Sequence, residues 1–576
     1  MATTTSRPQD QPATDAGLLH AATRHSAARC AALALCTVAA AGASLLLPLA
    51  IGRALDAVLT GHASGAAGDD ATRWVLVCAA LIGASALLDA CDSVLTGTTN
   101  ARTTAWLRGR VIRHVLGAGP RATARFSHGD LVARLVDNAA HAGIAPATLA
   151  ALLAALAAPL GAVVALALID GLLAVAFLAG APVLVLLLRA FVRVSSDCVA
   201  RYQEVQGIIA GRLAEAIGGA RTVAAARTED KEAARVLGDL PELSRHGHRM
   251  WRIQGRSQAQ AVTVAPLLQL AVVAVAGHLL LRHRISVGEL LAASRYAVLA
   301  TGIGVLVGQL GGLVRARATA RRLAEVLTEP VTEYGQAQLP PGDGRLELRG
   351  IKVTRGGRAV LDGLDLTVPA GGTLAVVGRS GAGKSLLAAV AGRLADPDEG
   401  DVRLDGVPLR SLSREELRRE VGYAFERPAL LGATLADTIG FGAPRPAPSR
   451  VREAARAARA DTFITRLPDG YATPCAQAPL SGGEAQRLGL ARAFARGGRL
   501  LILDDAMSSL DTVTEHHIAE ALLHHTPHRS RLVIAHRATT AARADAVAWL
   551  HEGRVRAVGT HAELWQRPEY REVFEA

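Results

Sequence analysis

Six apolar stretches, all before residue 315, limit what this chain can fold into. They cover residues 27–51, 74–96, 147–168, 171–191, 261–281 and 290–314, and each is long enough as a helix to cross a hydrocarbon layer of about 30 Å. Half of the 576 residues are hydrophobic, more than an ordinary soluble protein of this size carries. Arginine then orients the stretches. The segment between the second and third carries Arg102, Arg108, Arg110, Arg113, Arg121, Arg125 and Arg134, and that between the fourth and fifth carries Arg193, Arg201, Arg212, Arg221, Arg227 and Lys231. The short connections at Ile169–Asp170 and Leu281–Glu289 are poorer in charge, so both long segments, both chain ends and everything after the sixth span are expected in the cytoplasm.

Ionisable residues inside the spans are the only hint about cargo. Asp89 and Asp92 stand one helical turn apart in the second, and Arg295 lies early in the sixth. Ionisable groups there are candidate cargo contacts, although a water-facing position or a side chain reaching to the surface explains them equally. The first twenty residues are polar, with no apolar core for a signal peptide and too little length for a processing domain. Six cysteines show no paired ligand spacing, so neither thiolate metal sites nor disulfides are expected. The net charge of +12 rests on arginine, and with 3% aromatic residues no basic patch interleaves with aromatics, so nucleic acid is not an expected partner.

After the last span the pattern changes. Residues 330–344 are rich in Pro, Gly and Gln, and strand-like alternation begins at Arg345–Leu348. The expected division is a tail over 1–25, a membrane domain over 26–330, a linker over 331–344 and a soluble domain over 345–576. Within the last, Glu415–Arg419 and Val451–Ala460 read as helices, and Val421–Phe425 and Arg531–Ala535 as strands.

Chemistry enters with the run Gly378, Arg379, Ser380, Gly381, Ala382, Gly383, Lys384, Ser385, which fits G-x-x-x-x-G-K-[ST] between an apolar strand and a helix-like segment. Its glycines let backbone N–H groups turn around phosphates, Lys384 reaches the terminal phosphates, and the Ser385 hydroxyl suits magnesium. Asp504, ending the apolar run Leu500–Leu503, would hold the same ion. Between them lies Leu480, Ser481, Gly482, Gly483, Glu484, Ala485, Gln486, Arg487; after them come Ser509–Asp511 and Ile534, Ala535, His536, Arg537. With these motifs in this order the chain resembles an ATP-binding cassette (ABC) protein. Its first 330 residues resemble the exporter-type membrane domain of that family at Leu45–Arg53, Gly129–Leu135, Gly219–Val223 and Val287–Leu290.

The resemblance implies an all-α six-helix transmembrane domain followed by an α/β P-loop NTPase cassette with a helical subdomain, using ATP and Mg2+. It implies short coupling helices near Pro120–Gly129 and Gly219–Arg227. Ser481, Gly482, Gly483, Glu484 and Gln486 would meet ATP held by a second cassette, so a second half-transporter is the expected partner beside the lipid bilayer. The transported molecule is expected to be a small molecule or peptide.

Four positions depart from the family pattern. Asp505 stands where the family has a catalytic Glu, Glu426 where it has a magnesium-sensing Gln, and Arg355 where an aromatic stacks on adenine; the segment Thr473–Pro479 lacks a Glu-Arg pair. Asp505 and His536 remain the expected catalytic pair with Glu426, and Ser385, Asp504 and Glu426 the expected metal ligands. A base set back by about 1 Å can cost roughly a hundredfold. Three departures fall on the chain's own nucleotide site while Leu480–Arg487 keeps its pattern. The pattern favours one half of a heterodimer whose own site is slow. Drift in a working homodimer, an importer on the same membrane fold as in some siderophore systems, and a non-pumping regulator stay open as alternatives.

Overall fold

Alanine and leucine dominate the apolar stretches, and both extend helices at little cost in side-chain entropy. In the computed structural model, which describes residues 14–64, 68–301, 304–442, 444–525 and 529–575, the stretches are parts of much longer helices. Single helices run over Ala27–Ser64, Gly68–Ala118, Gly171–Gly218 and Leu240–Leu281. The third stretch is Ala145–Ala154 followed by Ala157–Ile169, and the sixth is Val287–Ala300 followed by Gly304–Leu327. Hydropathy marks where a helix leaves the apolar layer, not where it ends. No proline interrupts residues 97–118 or 192–218, so those helices continue into polar sequence. Among the described residues, Ala27–Thr60, Asp70–Ala118 and Gly129–Ile169 are long and apolar enough to span a membrane, and Gly171–Val183 and Pro266–Leu281 are shorter apolar segments.

Two compact units emerge from the contacts, one up to Gly117 together with Arg125–Pro330, the other Ala118–Ala124 together with Val331 onward. The first is all helical. Leu166, Phe177, Val272, Leu279 and Tyr296 are buried in its core, and the Tyr296 hydroxyl donates to the Leu45 carbonyl at 2.8 Å. Gly52 and Gly288 allow backbones to touch: a Cβ on Gly288 would sit 2.1 Å from the Gly52 carbonyl oxygen. Beside them Asp56 accepts from the Gly288 N–H at 2.8 Å and from the Ser286 hydroxyl at 2.5 Å, fixing the start of helix Val287–Ala300. Asp92 accepts from the Thr37 hydroxyl at 2.8 Å, whereas Asp89 and Arg295 are exposed within the chain. Part of the expected tail, residues 1–13, lies outside the described residues; the rest forms helix Asp15–His25, with Asp15 paired to Arg317 at 2.9 Å. Short helices occupy Pro120–Arg125 and Ala220–Ala226.

The second unit is built on two sheets. Its strands are β1 Leu346–Arg355, β2 Arg358–Val368, β3 Thr373–Val377, β4 Glu399–Leu404, β5 Val407–Pro408, β6 Val421–Phe425, β7 Leu500–Asp504, β8 Ser530–Ile534, β9 Ala546–His551 and β10 Arg554–Gly559. An antiparallel sheet has the order β2-β1-β4-β5, and a larger sheet the order β10-β9-β3-β8-β7-β6. In the larger sheet every pairing is parallel except β10 on β9. Leu374–Val377 of β3, Leu500–Leu503 of β7 and Leu532–Ile534 of β8 are apolar and buried, as residues of central parallel strands must be. Helices Leu435–Ile439, Pro448–Ala457 and Gly482–Ala495 share a second core around Ala454, Leu488 and Phe494. The helix expected over Val451–Ala460 is Pro448–Ala457, and the strand expected over Arg531–Ala535 is shifted by one residue. Residues 331–344 lack regular structure apart from a bridge at Ala337, yet contacts group them with the cassette core.

Candidate nucleotide site

Adjacent parallel strands deliver their C-terminal ends to one edge, and open α/β sheets bind ligands at that edge. Here β3 ends into the phosphate loop, β7 ends at Asp504, β8 leads to His536 and β6 leads to Glu426. The loop needs its glycines. Gly383 has φ 97°, and a Cβ on Gly378 would lie 2.4 Å from the Leu550 carbonyl oxygen. Helix Lys384–Ala391 follows at once, directing its free N-terminal N–H groups and its dipole at the loop.

Lys384 is only 5% exposed and folds back over the loop, donating to the carbonyls of Gly378 at 2.6 Å and Arg379 at 3.1 Å. Burial pushes its ammonium below the usual lysine range, against the pull of Asp505 and Asp504. The Ser385 hydroxyl donates to Asp504 at 2.9 Å. Burial raises the Asp504 carboxyl, and Glu426 adds to the rise while Ser385 opposes it. Asp505 is also raised by burial, against His536 and with Glu426 and Asp504. Its backbone is left-handed, φ 50°, a region that aspartate tolerates better than longer side chains. Its carboxylate stands 3.9 Å from the His536 Nε2. Glu426 is half exposed, 3.7 Å from Arg427.

The remaining expected residues sit on other elements. Arg355 ends β1 at an exposed hairpin, its guanidinium donating to the Thr354 carbonyl at 3.2 Å. Ser481 caps helix Gly482–Ala495 in a closed box: the Glu484 carboxylate accepts from the Ser481 N–H and hydroxyl, both at 2.8 Å, and the Ser481 oxygen accepts from the Glu484 N–H at 3.3 Å. Hydrogen bonds from the Ser481 backbone hold Glu484 below the usual carboxylate range. In front of Gly482 there is open space. Gln486, expected to touch nucleotide, is 3% exposed and its amide is fully engaged inside the chain. It donates to the Glu426 carbonyl at 2.9 Å and the Ser508 hydroxyl at 3.0 Å, and accepts from the Ser509 N–H at 3.0 Å. Gln486 therefore ties helix Gly482–Ala495, which begins within the signature run Leu480–Arg487, to the loops after β6 and β7.

Arg537, which sequence reasoning left without a role, steadies the same loop by donating to the Ser508 and Leu510 carbonyls at 3.3 Å each. Its place directly after His536 was the only available signal. Arg379 pairs with Glu572 of the last helix at 2.9 Å, a contact between residues too far apart in sequence to be read there.

Hydroxyl and carboxylate oxygens 2.9 Å apart at Ser385 and Asp504 are the hard donors that magnesium takes alongside waters and phosphate oxygens, so the residues fit that ion. Lys384 bonded to its own loop's carbonyls, at the N-terminus of a helix, is the arrangement of a phosphate cradle.

Comparisons with known proteins agree. Residues 361–508 match the ABC transporter family and residues 31–303 the ABC transporter transmembrane region. The chain is 53% identical, over 94% of its length and 84% of the relative's, to the ABC transporter ATP-binding protein RamA of Streptomyces coelicolor. It is 36% identical to the multidrug efflux ATP-binding/permease protein Rv0194 of Mycobacterium tuberculosis, over 65% of this chain and 32% of that one. The fold also matches a bacterial Atm1-family ABC exporter with ATP bound, with TM-score 0.80 and 24% identity over 96% of this chain and 98% of that chain.

Proposed function

The chain belongs to the ABC transporter family, carrying membrane region and cassette in one polypeptide, and we propose that it is one half of a heterodimeric exporter whose own nucleotide site is slow. In this reading the cassette and both chain ends are cytoplasmic, the domain boundaries fall near residues 26, 331 and 345, and the cargo is a small molecule or peptide. ATP lies between this chain's phosphate loop and the signature turn of a partner cassette. The loop N–H groups and Lys384 bind the phosphates, and Lys384 exchanges its bonds to Gly378 and Arg379 for bonds to phosphate oxygens. Ser385 and Asp504 would hold magnesium, with Glu426 near it, and the ion would neutralise phosphate charge. In this reading Asp505 and His536, 3.9 Å apart, orient the attacking water and take its proton. Arg355 lies on the adenine side, where its guanidinium plane can stack.

The observation that carries the reading is Asp505 itself: a side chain one methylene shorter than glutamate, on a left-handed residue 3.9 Å from His536. A carboxylate set back by about 1 Å costs roughly a hundredfold in a water-activating step. The other half-site, Ser481 with Gly482 and Gly483, has open space beside Gly482 and in this reading serves the partner's ATP. The test compares ATP turnover by this chain purified alone and with its partner. Slow turnover alone, raised severalfold by Asp505→Glu, and fast turnover in the pair are expected. Fast turnover by the chain alone, abolished by Asp505→Ala, would sink the proposal.

A further inference from the structure

In two stretches of the membrane unit every charge is positive. No aspartate or glutamate occurs from Ala16 to Leu55 or from Ser93 to Gly117, whereas Arg24, Arg29, Arg102 and Arg110 do. Two contacts lay these stretches side by side and antiparallel. The Thr37 hydroxyl donates to Asp92 at 2.8 Å, and the Ser26 and Thr103 hydroxyls lie 2.8 Å apart. That register sets Arg29 level with Asn100, about half a turn from Arg102. Arg29 and Arg102 are therefore the first arginines met on leaving the apolar layer, at one depth on both helices. Leu33, packed with Leu95 against Ala147 and Ala150, lies about one turn inside that depth.

Helix Asp15–His25 ends at Ser26 and is held to the bundle by Leu18, buried with Leu107 and Leu323. Its last residue lies flat on Trp106 of helix Gly68–Ala118: the His25 and Trp106 ring centres are 5.0 Å apart and their planes differ by 16°. The Arg110 guanidinium covers the Trp106 ring at 5.6 Å. Arg24 and Arg102 are exposed, and among the described residues no carboxylate pairs with either. Trp106 lies about 6 Å beyond the depth of Arg102, within a headgroup zone about 5–7 Å thick. Indole rings concentrate in that zone.

We propose that Arg24, His25, Arg102, Trp106 and Arg110 form a binding site for the headgroup of an anionic phospholipid in the adjoining leaflet. The exposed guanidiniums take the phosphodiester, supplying the negative charge that the chain itself omits here. A lipid is the occupant because the patch adjoins apolar surface. Leu35 and Val94, 72% and 65% exposed, stand about two turns further into the apolar layer on the same two helices, where acyl chains run. The inference needs the membrane placement of these helices and is independent of the slow-site reading.

The test uses the full chain assembled with its partner, released from nanodiscs of phosphatidylcholine mixed with phosphatidylglycerol, and counts retained lipid by native mass spectrometry. Arg24→Gln with Arg102→Gln should lower phosphatidylglycerol retention by about tenfold, since each arginine near an anionic surface strengthens binding severalfold. Phosphatidylcholine retention and ATP turnover should stay within about twofold of the parent. Arg24→Gln alone should lower retention by about threefold, which decides the matter if the double variant fails to assemble. Arg24→Lys with Arg102→Lys keeps the charges and should restore most of the retention. Arg245→Gln with Arg249→Gln removes two exposed arginines from the polar part of helix Leu240–Leu281 and should change nothing. Unchanged retention in the Arg24 and Arg102 variants would overturn the inference. So would an equal fall in the Arg245 and Arg249 control, which would mark net charge alone, or displacement of the lipid by inorganic phosphate or glycerol 3-phosphate, which would mark a site for soluble anions.

Discussion

The cassette has two polar constellations for nucleotide, and they hold their charges differently. Around the phosphate loop, burial pushes Lys384 down and Asp504 and Asp505 up, each toward its neutral form. At the signature turn, Ser481 pulls Glu484 down and keeps it ionised. The first cluster is incomplete without a charged ligand; the second is complete without one, because its capping box already satisfies the helix end. The phosphate-loop groups carry an electrostatic cost that bound nucleotide with its magnesium would relieve, whereas the turn proposed to face a partner keeps its shape by its own cap.

Substitutions can break this contrast. The largest effect is expected from Ser481→Ala in the assembled transporter, which should lower ATP turnover by roughly a hundredfold, the usual cost of losing a donor to developing phosphate or oxyanion charge. Binding of a fluorescent ATP analogue by the isolated chain should not change. Lys384→Ala should do the reverse, weakening analogue binding by the isolated chain roughly tenfold or more through loss of a charge-assisted bond. Fluorescence titration of both variants separates the two roles, and equal effects on binding would erase the distinction.

A smaller effect concerns the backbone. Glutamate lacks aspartate's ease in the left-handed region, so Asp505→Glu should cost the isolated chain up to about 1 kcal/mol of stability even as its slow turnover rises. Denaturant unfolding of parent and variant measures this; a gain in stability would contradict the role given to φ 50° at this residue.

The smallest effect is a pH dependence. The folded pKa of Glu484 lies below its unfolded value, so its stabilisation is fully present above the unfolded glutamate value near 4.3 and is lost as pH falls through the lower folded value. Thermal melts from about pH 5 to about pH 3 should show a slightly steeper loss for the parent than for Glu484→Gln, whose side chain does not titrate. Identical slopes would mean the capping carboxylate contributes nothing measurable, as partly exposed pairs sometimes do.

Local patterns made much of this legible in the sequence. Apolar runs located the membrane helices and strands β3 and β7, and the glycines and Lys384 located the phosphate loop, because each signal lies within a few adjacent residues. The helices run 22 residues past the apolar stretch, from 96 to Ala118, and 27 past it, from 191 to Gly218, since a helix leaving an apolar layer is continued by packing and propensity that hydropathy does not record. Gln486 was read as a nucleotide contact from its place in a motif, yet its burial depends on Glu426, Ser508 and Ser509, which only the fold brings beside it. The backbone angle of Asp505 was equally invisible, being a conformational fact that no neighbouring residue type announces.

The central claim is that ATP is cut mainly across the interface, at the site this chain completes with Ser481, and only slowly at the site it holds with Asp505. Measuring ATP turnover of the assembled transporter carrying Asp505→Ala addresses it directly. Turnover within about twofold of the parent is predicted; a fall of roughly a hundredfold, the loss expected when a working base is removed, would contradict it.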